Sequence, residues 1–184
     1  MKKKTTKRIV LAGGPSTGKT TLINHLATIG YKCEEEISRK VILEAQAQGI
    51  DQLFLTYPLL FSKKLLAGRL KQFKNAETSN TALLFYDRGM PDVTAYMDYI
   101  GSHYPHNFAE TIFNNRYHMV FLLPPWKEIH VTDNERYESF EQGSLIYKYL
   151  KNGYKQFGYE VIEVPFGSIE ERSTFILDEI NKHH

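Results

Sequence analysis

A run of small and polar residues from Gly13 to Thr21 contains the residue types that grip a nucleoside triphosphate. Its glycines allow turns that side chains forbid, so that successive N–H groups point at phosphate oxygens. Lys19 is expected to reach the β- and γ-phosphates, and the Thr20 hydroxyl to hold Mg²⁺. The spacing G-x-x-x-x-G-K-[ST] therefore predicts an ATP-binding loop made of Gly13, Gly14, Pro15, Ser16, Thr17, Gly18, Lys19, Thr20 and Thr21.

A second position with chemical potential lies at the end of the apolar stretch LLFYD, where Asp87 is followed by Arg88. In open α/β sheets, ligands bind at the carboxyl ends of the strands. A carboxylate there either holds Mg²⁺ or accepts a proton from the nucleophile, and the residues leave both roles open for Asp87. The planar fork of Arg88 suits a phosphate or a sugar, so we expect it to place the acceptor. A surface ion pair with the acidic run EEE is the alternative.

That acidic run, followed by I-S-R, places Glu36 and Arg39 after a predicted strand. A helix start there puts the two residues on one face. A carboxylate beside the phosphate loop can bond a ribose hydroxyl or act as its base, so we expect both residues to bind the acceptor and Glu36 to be catalytic. The alternative is a solvated loop, because acidic residues are favourable at any helix N-terminus.

The stretch 124–143 is polar, begins with two prolines and has no clear period, so it predicts a lid over the site. Within it, Arg136 is expected to close on the transferring phosphoryl group and neutralise its charge. An exposed loop pair with Asp133 is the alternative. Trp126 is placed either to touch a base or to lie at the rim.

Segments with strand and helix patterns alternate along the chain and must position these residues. We predict strands within 8–13, 31–36, 81–87, 117–125 and 159–165, and helices over 19–30, 37–49, 57–76 and from about Ser168. This order is typical of an α/β fold with three layers, in which a parallel sheet carries helices on both faces. We expect one domain over 1–184, with the lid as its only excursion.

Composition restricts the setting. The chain has 184 residues, a formal net charge of +2 and a single cysteine, Cys33. That charge is too small to argue for nucleic-acid binding, and we expect no nucleic-acid partner. No segment has the ~18 apolar residues of a membrane span. A single cysteine fits a reducing compartment, so we expect a cytoplasmic protein.

Five marks, taken in order, resemble the NadR-like family of P-loop ATPases and kinases, which is also described as an AAA-type ATP-binding domain family. They are GGPSTGKTTL, EEISRKVI, FYDRGMPDVTAY, DNERYE and EVPFGSIEERSTFIL. The resemblance implies a kinase-type doubly wound fold with a lid, and ATP with Mg²⁺ as cofactors. It also implies backbone contacts to adenine from the segment after the last strand, namely Pro165, Gly167 and Ser168.

The function that the resemblance implies is transfer of the ATP γ-phosphate to a nucleoside-like hydroxyl acceptor, as in ribosylnicotinamide kinases. The lid has few basic residues, chiefly Lys127 and Arg136, which favours a neutral nucleoside over a charged monophosphate. The alternative is a nucleotide-binding switch or slow NTPase that acts through a protein or lipid partner, using the basic start MKKKTTKR. The acceptor's identity, the choice of ATP or GTP and the oligomeric state stay open.

Overall fold

The structure is a computed structural model that describes residues 6–131 and 138–183. Its described part holds one five-stranded sheet, in which every neighbouring pair of strands is parallel. The strand order is β2-β3-β1-β4-β5, so the first strand lies at the centre. The strands are β1 Lys7–Gly13, β2 Lys32–Glu34, β3 Leu83–Asp87, β4 Met119–Leu123 and β5 Val161–Glu163.

Helices connect the strands, as a parallel sheet requires, because the chain must return to the starting edge before each new strand. The described helices are α1 Lys19–Thr28, α2 Ser38–Gln46, α3 Leu53–Thr56, α4 Pro58–Asn75, α5 Pro91–Tyr99, α6 Asn107–Asn114, α7 Phe140–Gln156 and α8 Ile169–Lys182. Short 3-10 turns occur at Ala76–Thr78 and Lys127–Ile129. None of the described helices combines the length and the apolar character that crossing a membrane requires.

Both faces of the sheet are covered, which explains why the central strands are largely apolar. On β1, Ile9 and Leu11 pack with α1 and α8 on one face. Val10 and Ala12, which alternate with them, pack against the larger layer on the other face, which includes α4, α5 and α7. The expected α/β architecture with three layers is confirmed. All five predicted strands are present, and so are helices in the four regions where we predicted them.

Two helix ends follow sequence signals that are visible in advance. Gly30 has a φ of 99°, a left-handed conformation that glycine adopts freely, and it lies just beyond the end of α1. Ser168 accepts a hydrogen bond from the Glu171 N–H, while the Glu171 carboxylate accepts one from the Ser168 N–H. This reciprocal capping box begins α8 at the predicted position.

Candidate active site

The loop between β1 and α1 has the geometry expected of a phosphate-binding loop. Gly18 has a φ of 78°, and Ser16 reaches a φ of 55° although it carries a side chain. A Cβ on Gly13 would lie 2.9 Å from the Thr17 hydroxyl oxygen, so this position requires glycine. The Thr17 hydroxyl donates to the Gly14 carbonyl across the loop at 3.1 Å. The loop shape is therefore set by backbone conformation and close packing.

Lys19 begins α1 and points back at the end of β3. Its Nζ lies 3.0 Å from an oxygen of Asp87, and both side chains are buried. The two meet because β1 and β3 are neighbours in register, with Leu11 opposite Asp87. Burial lowers the pKa of Lys19 below its ordinary value, although the adjacent Asp87 carboxylate opposes that shift. A cation and an anion are thus held together in a nearly dry position beside the loop.

Arg88 follows Asp87 with a φ of 72°, a strained conformation for a residue with a side chain. Its N–H donates to the Leu11 carbonyl at 3.0 Å, which fixes this turn to the central strand. Its guanidinium lies 3.8 Å from Asp92 and donates to the Tyr96 hydroxyl at 3.4 Å. Burial works against the charged form, but Tyr96 and the neighbouring carboxylates outweigh it and raise the pKa of Arg88.

Glu36 lies between β2 and α2 and faces two arginines. Its carboxylate is 3.7 Å from Arg69 and 3.9 Å from Arg88. It also accepts hydrogen bonds from the N–H and the hydroxyl of Ser38 at the start of α2. Burial raises the pKa of Glu36, but Arg88, Arg69 and the Ser38 hydrogen bonds outweigh burial and lower it to about 2. The carboxylate is therefore ionised at neutral pH.

Arg39 lies in the first turn of α2 with its side chain exposed. Its main-chain N–H is 3.4 Å from the Glu36 carboxylate. The cations beside the Glu36 carboxylate are Arg69, which is buried, and Arg88, which is partly buried. The acceptor role of Arg39 stays a prediction.

Arg69, Asp92 and Tyr154 are buried polar residues that sequence reasoning did not single out. Arg69 is only 3% exposed and donates to the Gly89 carbonyl at 2.9 Å. Asp92 accepts hydrogen bonds from the Gly89 N–H and the Tyr154 hydroxyl. A signal for Arg69 did exist, because it shares a helical face with the buried Leu65, Leu66 and Phe73.

The other end of the loop carries aromatic residues. Trp126, after β4, stacks on Phe166, after β5, with ring centroids 5.1 Å apart and planes inclined by 30°. Phe166 lies between Pro165 and Gly167, which were expected to contact adenine. Ser168 uses its side chain and its N–H to cap α8. Trp126 thus adjoins the predicted adenine segment, while Phe166 was not predicted.

The predicted lid is described only at its two ends. Lys127–Ile129 forms a short 3-10 turn, and α7 begins at Phe140, so residues 140–143 belong to that helix. The Ser16 hydroxyl donates to the Val131 carbonyl at 2.7 Å, which ties the start of the segment to the phosphate loop. Asp133 and Arg136 lie outside the described residues, and their roles stay predictions.

Thr20 and Asp87 are of a chemical type that suits Mg²⁺, because it prefers hydroxyl and carboxylate oxygens. Thr20 and Thr21 are exposed in the first turn of α1, while Asp87 is buried and its Oδ1 lies 3.0 Å from the Lys19 Nζ. Among the described residues, no cluster of three or more His, Cys, Asp or Glu side chains forms a metal cage. Mg²⁺ commonly binds through one or two protein oxygens, water and substrate phosphates, so the residues present fit it.

The strand order arranges these groups in a row along the carboxyl edge of the sheet. Glu36 follows β2, Asp87 and Arg88 follow β3, and the phosphate loop follows the central β1. Trp126 follows β4 and Phe166 follows β5. The row therefore runs from paired carboxylates and arginines, through the phosphate loop, to an aromatic pair.

A family model described as "AAA domain" matches residues 8–172. No curated protein matches the chain. Among solved structures, a NadR protein in complex with NR has a TM-score of 0.72 at 21% identity, over 97% of this chain and 49% of that one. This chain therefore spans about half the length of the NadR chain.

Two kinases are similar over nearly their whole length. Deoxyadenosine kinase from M. mycoides has a TM-score of 0.68 at 17% identity, over 95% of this chain and 99% of that one. Thymidylate kinase from Candida albicans has a TM-score of 0.64 at 15% identity, over 97% of this chain and 92% of that one. At these identities the likeness shows the fold, which is that of P-loop kinases.

Proposed function

This chain belongs to the AAA domain family of P-loop proteins, and from that premise we propose that it transfers the γ-phosphate of ATP to a hydroxyl group of a nucleoside-like acceptor. The observation that carries the proposal is the Glu36 carboxylate, held ionised beside Arg69 and Arg88. It lies after β2, next to the strand that ends in the Lys19–Asp87 pair. A hydrolase that uses water has no evident need for this second, separately held carboxylate.

On the donor side, the loop from Gly13 to Thr21 binds the triphosphate through its main-chain N–H groups. Lys19 exchanges its ion pair with Asp87 for the β- and γ-phosphates, and this exchange frees the Asp87 carboxylate. Thr20 and Asp87 are the residues that would hold Mg²⁺, which when bound neutralises charge on the phosphate oxygens. Transfer itself then depends on positioning and electrostatics, since phosphoryl transfer asks little covalent chemistry of the protein.

On the acceptor side, Glu36 accepts the hydrogen bond of the attacking hydroxyl and orients its oxygen. A carboxyl group with a pKa of about 2 is a weak base, so orientation is its main contribution. Arg88 is the second contact, because its guanidinium lies between Glu36 and Asp92 in the same pocket. The remaining candidate for the general base, which takes the proton of the attacking hydroxyl, is Asp87. It can act so if it is released from Lys19 and does not bind Mg²⁺.

The acceptor is proposed to be uncharged, because Arg69 and Arg88 already have carboxylate partners. Arg69 faces Glu36, and Arg88 faces both Glu36 and Asp92. A phosphate on the acceptor would have to compete with these carboxylates for the guanidinium groups. A nucleoside meets no such competition, since its hydroxyl groups bond to carboxylates directly.

The base of ATP is proposed to lie at the aromatic end of the row, against Trp126 and Phe166. Purines stack on aromatic rings, and the two rings are stacked on each other. Main-chain groups of Pro165, Gly167 and Ser168 are proposed to contact the adenine from this side. Arg136 is proposed to approach the phosphates from the lid.

The test is a measurement of ADP release from ATP and Mg²⁺, with and without a panel of nucleosides and the matching monophosphates. We expect at least one nucleoside to stimulate ADP release and to become phosphorylated, while its monophosphate does not. In the Glu36→Gln variant, stimulation should fall by about 10²-fold, the scale of positioning and acid–base effects. Lys40→Ala, an exposed change on α2, is the control and should behave as wild type.

A slow rate that no nucleoside or monophosphate changes would contradict the kinase proposal and favour a nucleotide switch or slow NTPase. Stimulation by monophosphates alone would keep the kinase but overturn the uncharged acceptor. The phosphorylated product, identified by mass spectrometry, separates true transfer from stimulated hydrolysis.

A further inference from the structure

Arg172, in the first turn of α8, is a buried cation to which the site described above gives no role. It is 3% exposed, and its Nη2 donates to the Thr17 carbonyl in the phosphate loop at 3.0 Å. Across 6–131 and 138–183, no carboxylate lies within ion-pair distance of it, and its buried Nε has no hydrogen-bond partner. Burial accordingly lowers the pKa of this guanidinium. A buried charge without a counter-charge is costly, which points to an anion that is bound nearby.

The hydrogen bond to Thr17 has a directional consequence for the loop. In a trans peptide, the C=O and the following N–H point in opposite directions. No described peptide bond is cis, so the Thr17 C=O and the Gly18 N–H are antiparallel. Because Arg172 draws the Thr17 oxygen toward α8, the Gly18 N–H points away from α8. That is the orientation in which a loop amide can donate to a phosphate.

Arg172 also contacts the aromatic end of the site. Its Cζ lies 5.5 Å from the centre of the Trp126 ring, within the range of a cation–π interaction. A Cβ on Gly18 would lie 2.8 Å from Arg172 Nη1, so the loop and the guanidinium pack closely. One rigid, planar side chain therefore lies against the phosphate loop and against a ring of the Trp126–Phe166 pair.

We propose that Arg172 is a positioning residue that couples the base end of the nucleotide site to its phosphate loop. It holds the Thr17–Gly18 peptide with the amide toward the phosphates, and it supplies positive charge from behind the loop. Because Arg172 contacts the Trp126 ring, a base that binds against this ring changes the position of the guanidinium. Phosphate binding and base binding therefore reinforce each other. The inference rests on the proposed function only in that the ligand is a nucleoside triphosphate.

Trp126 is the only tryptophan of the chain, so fluorescence excited at the long-wavelength edge, where tyrosine does not absorb, reports on the base end alone. The probes are AMP-PNP, tripolyphosphate, which lacks a base, and adenine, which lacks ribose and phosphate, all with Mg²⁺ and without a nucleoside. In the wild type we expect tripolyphosphate to change the Trp126 emission and to tighten adenine binding. In Arg172→Met, AMP-PNP affinity should fall by about 10-fold or more, the scale of a lost hydrogen bond to a charged group. Tripolyphosphate should then leave both the emission and adenine affinity unchanged.

Arg116 provides a matched control away from the site. Its guanidinium donates to the carbonyls of Phe157 and Gly158 and lies 4.2 Å from the centre of the Tyr159 ring. Arg116→Met should lower the melting temperature but leave AMP-PNP affinity and the tripolyphosphate response intact. Arg172→Lys keeps the charge without the planar fork, so it should recover part of the affinity. If Arg172→Met does not fold, AMP-PNP affinity and the tripolyphosphate response are compared in Arg172→Lys and Arg116→Lys. The inference requires that both be weaker in Arg172→Lys.

Wild-type AMP-PNP affinity in a folded Arg172 variant would overturn the inference. So would an equal loss of affinity in the Arg116 variant, since that result means general destabilisation. The experiment needs no acceptor, so a protein that shows the coupling but phosphorylates no nucleoside would refute the proposed kinase and leave this inference standing. A wild type that binds none of the probes would overturn both.

Discussion

At the scale of single residues, the candidate site is a set of buried and partly buried charges that neutralise one another. Lys19 faces Asp87, and the Glu36 carboxylate faces Arg69 and Arg88. Removing one member of a buried pair leaves its partner unpaired, which is strongly destabilising. Substitutions that keep shape and polarity while removing charge therefore separate chemistry from folding better than truncation does.

Asp87→Asn is the first such substitution. Asparagine keeps the size and one acceptor oxygen but loses the charge that would orient Mg²⁺ or accept a proton. We expect kcat to fall by about 10²-fold or more, the scale of positioning and acid–base effects. ATP should still bind, because the main-chain grip of the loop is unchanged. Calorimetric ATP binding beside steady-state ADP release measures the two effects, and wild-type turnover would leave Asp87 without a catalytic role.

Glu36 predicts a defined pH dependence of stability. Its pKa is lowered to about 2 in the folded protein, from an ordinary value of 4.5. Its stabilising contribution is therefore complete above about pH 5 and is lost as the pH falls toward 2, by at most about 3 kcal/mol. Denaturant unfolding of the wild type and Glu36→Gln at pH 7 and pH 3.5 measures it. The difference in the free energy of unfolding should shrink at the lower pH, and a constant difference would contradict the assignment.

At the scale of elements, α7 lies against both the phosphate loop and the Asp92–Arg88 pair, which is part of the proposed acceptor site. Near its start, the Gly143 carbonyl would lie 3.4 Å from a Cβ on Gly14. Near its end, a Cβ on Gly153 would lie 2.9 Å from the Ala95 Cβ, so α7 and α5 pack closely. Across the contact between α7 and α5, the Tyr154 hydroxyl donates a hydrogen bond to Asp92, which in turn faces Arg88. This helix therefore fixes the distance between donor and acceptor groups.

Tyr154→Phe tests that link. The change removes one of the two hydrogen bonds that the Asp92 Oδ2 accepts and leaves the Gly89 N–H as its remaining donor. Loss of this buried bond to a charged group should lower the free energy of unfolding by about 1–3 kcal/mol. Because Asp92 faces Arg88, the acceptor KM should rise while the affinity for ATP stays within about 2-fold, since uniform loss of acceptor binding acts on KM. Tyr149→Phe, on the same helix but outside the Asp92 network, is the control. Equal effects of the two variants on acceptor KM would contradict the role of α7.

The lid makes a separate prediction through Arg136. An arginine that approaches the phosphates only when the lid is closed should stabilise the transition state more than the ground state. We therefore expect Arg136→Ala to lower kcat by about 10²-fold or more while ATP affinity changes little. Lys127→Ala, an exposed lysine at the start of the segment, should have a much smaller effect. An unchanged kcat in Arg136→Ala would mean that Arg136 does not stabilise the transition state.

At the scale of the whole molecule, the ligand joins parts of the chain that the sheet only places side by side. In the proposed site, a nucleotide along the carboxyl edge would touch the loop after β1 and the segments after β4 and β5. A ligand that binds only the folded state stabilises it by mass action. Nucleotide binding should therefore be visible as increased stability of the entire domain.

AMP-PNP with Mg²⁺ should raise the melting temperature of the wild type, by roughly the equivalent of 2.7 kcal/mol at 100 times Kd. Lys19→Ala should remove most of this rise and nearly all ATP turnover, because it deletes the cation that faces the phosphates. The loop itself should persist, since its shape comes from backbone conformation. Differential scanning fluorimetry with a ligand series measures the shift. An equal shift in both proteins would contradict the proposed role of Lys19.

Structural features that depend only on residues close together in the chain can be predicted from the sequence. The spacing from Gly13 to Thr20 specifies a phosphate loop because its donors are consecutive backbone amides. The apolar strand before Asp87 places that carboxylate at a strand end, and the fold class follows from the order of strands and helices. The Ser168 capping box was likewise legible, since its partners are three residues apart. In each case a short stretch carries the whole physical reason.

Contacts between residues far apart in the sequence depend on the tertiary structure and cannot be predicted from local patterns. Arg69 contacts Gly89, and Arg172 contacts Thr17 across 155 positions of the chain. Trp126 and Phe166 stack because β4 and β5 are neighbours, which neither segment specifies alone. Local spacing sets which face of a helix is buried, but the packing of separate elements sets what that face touches. The partners of Glu36 and the role proposed for Arg172 therefore depend on the assembled sheet and its covering helices.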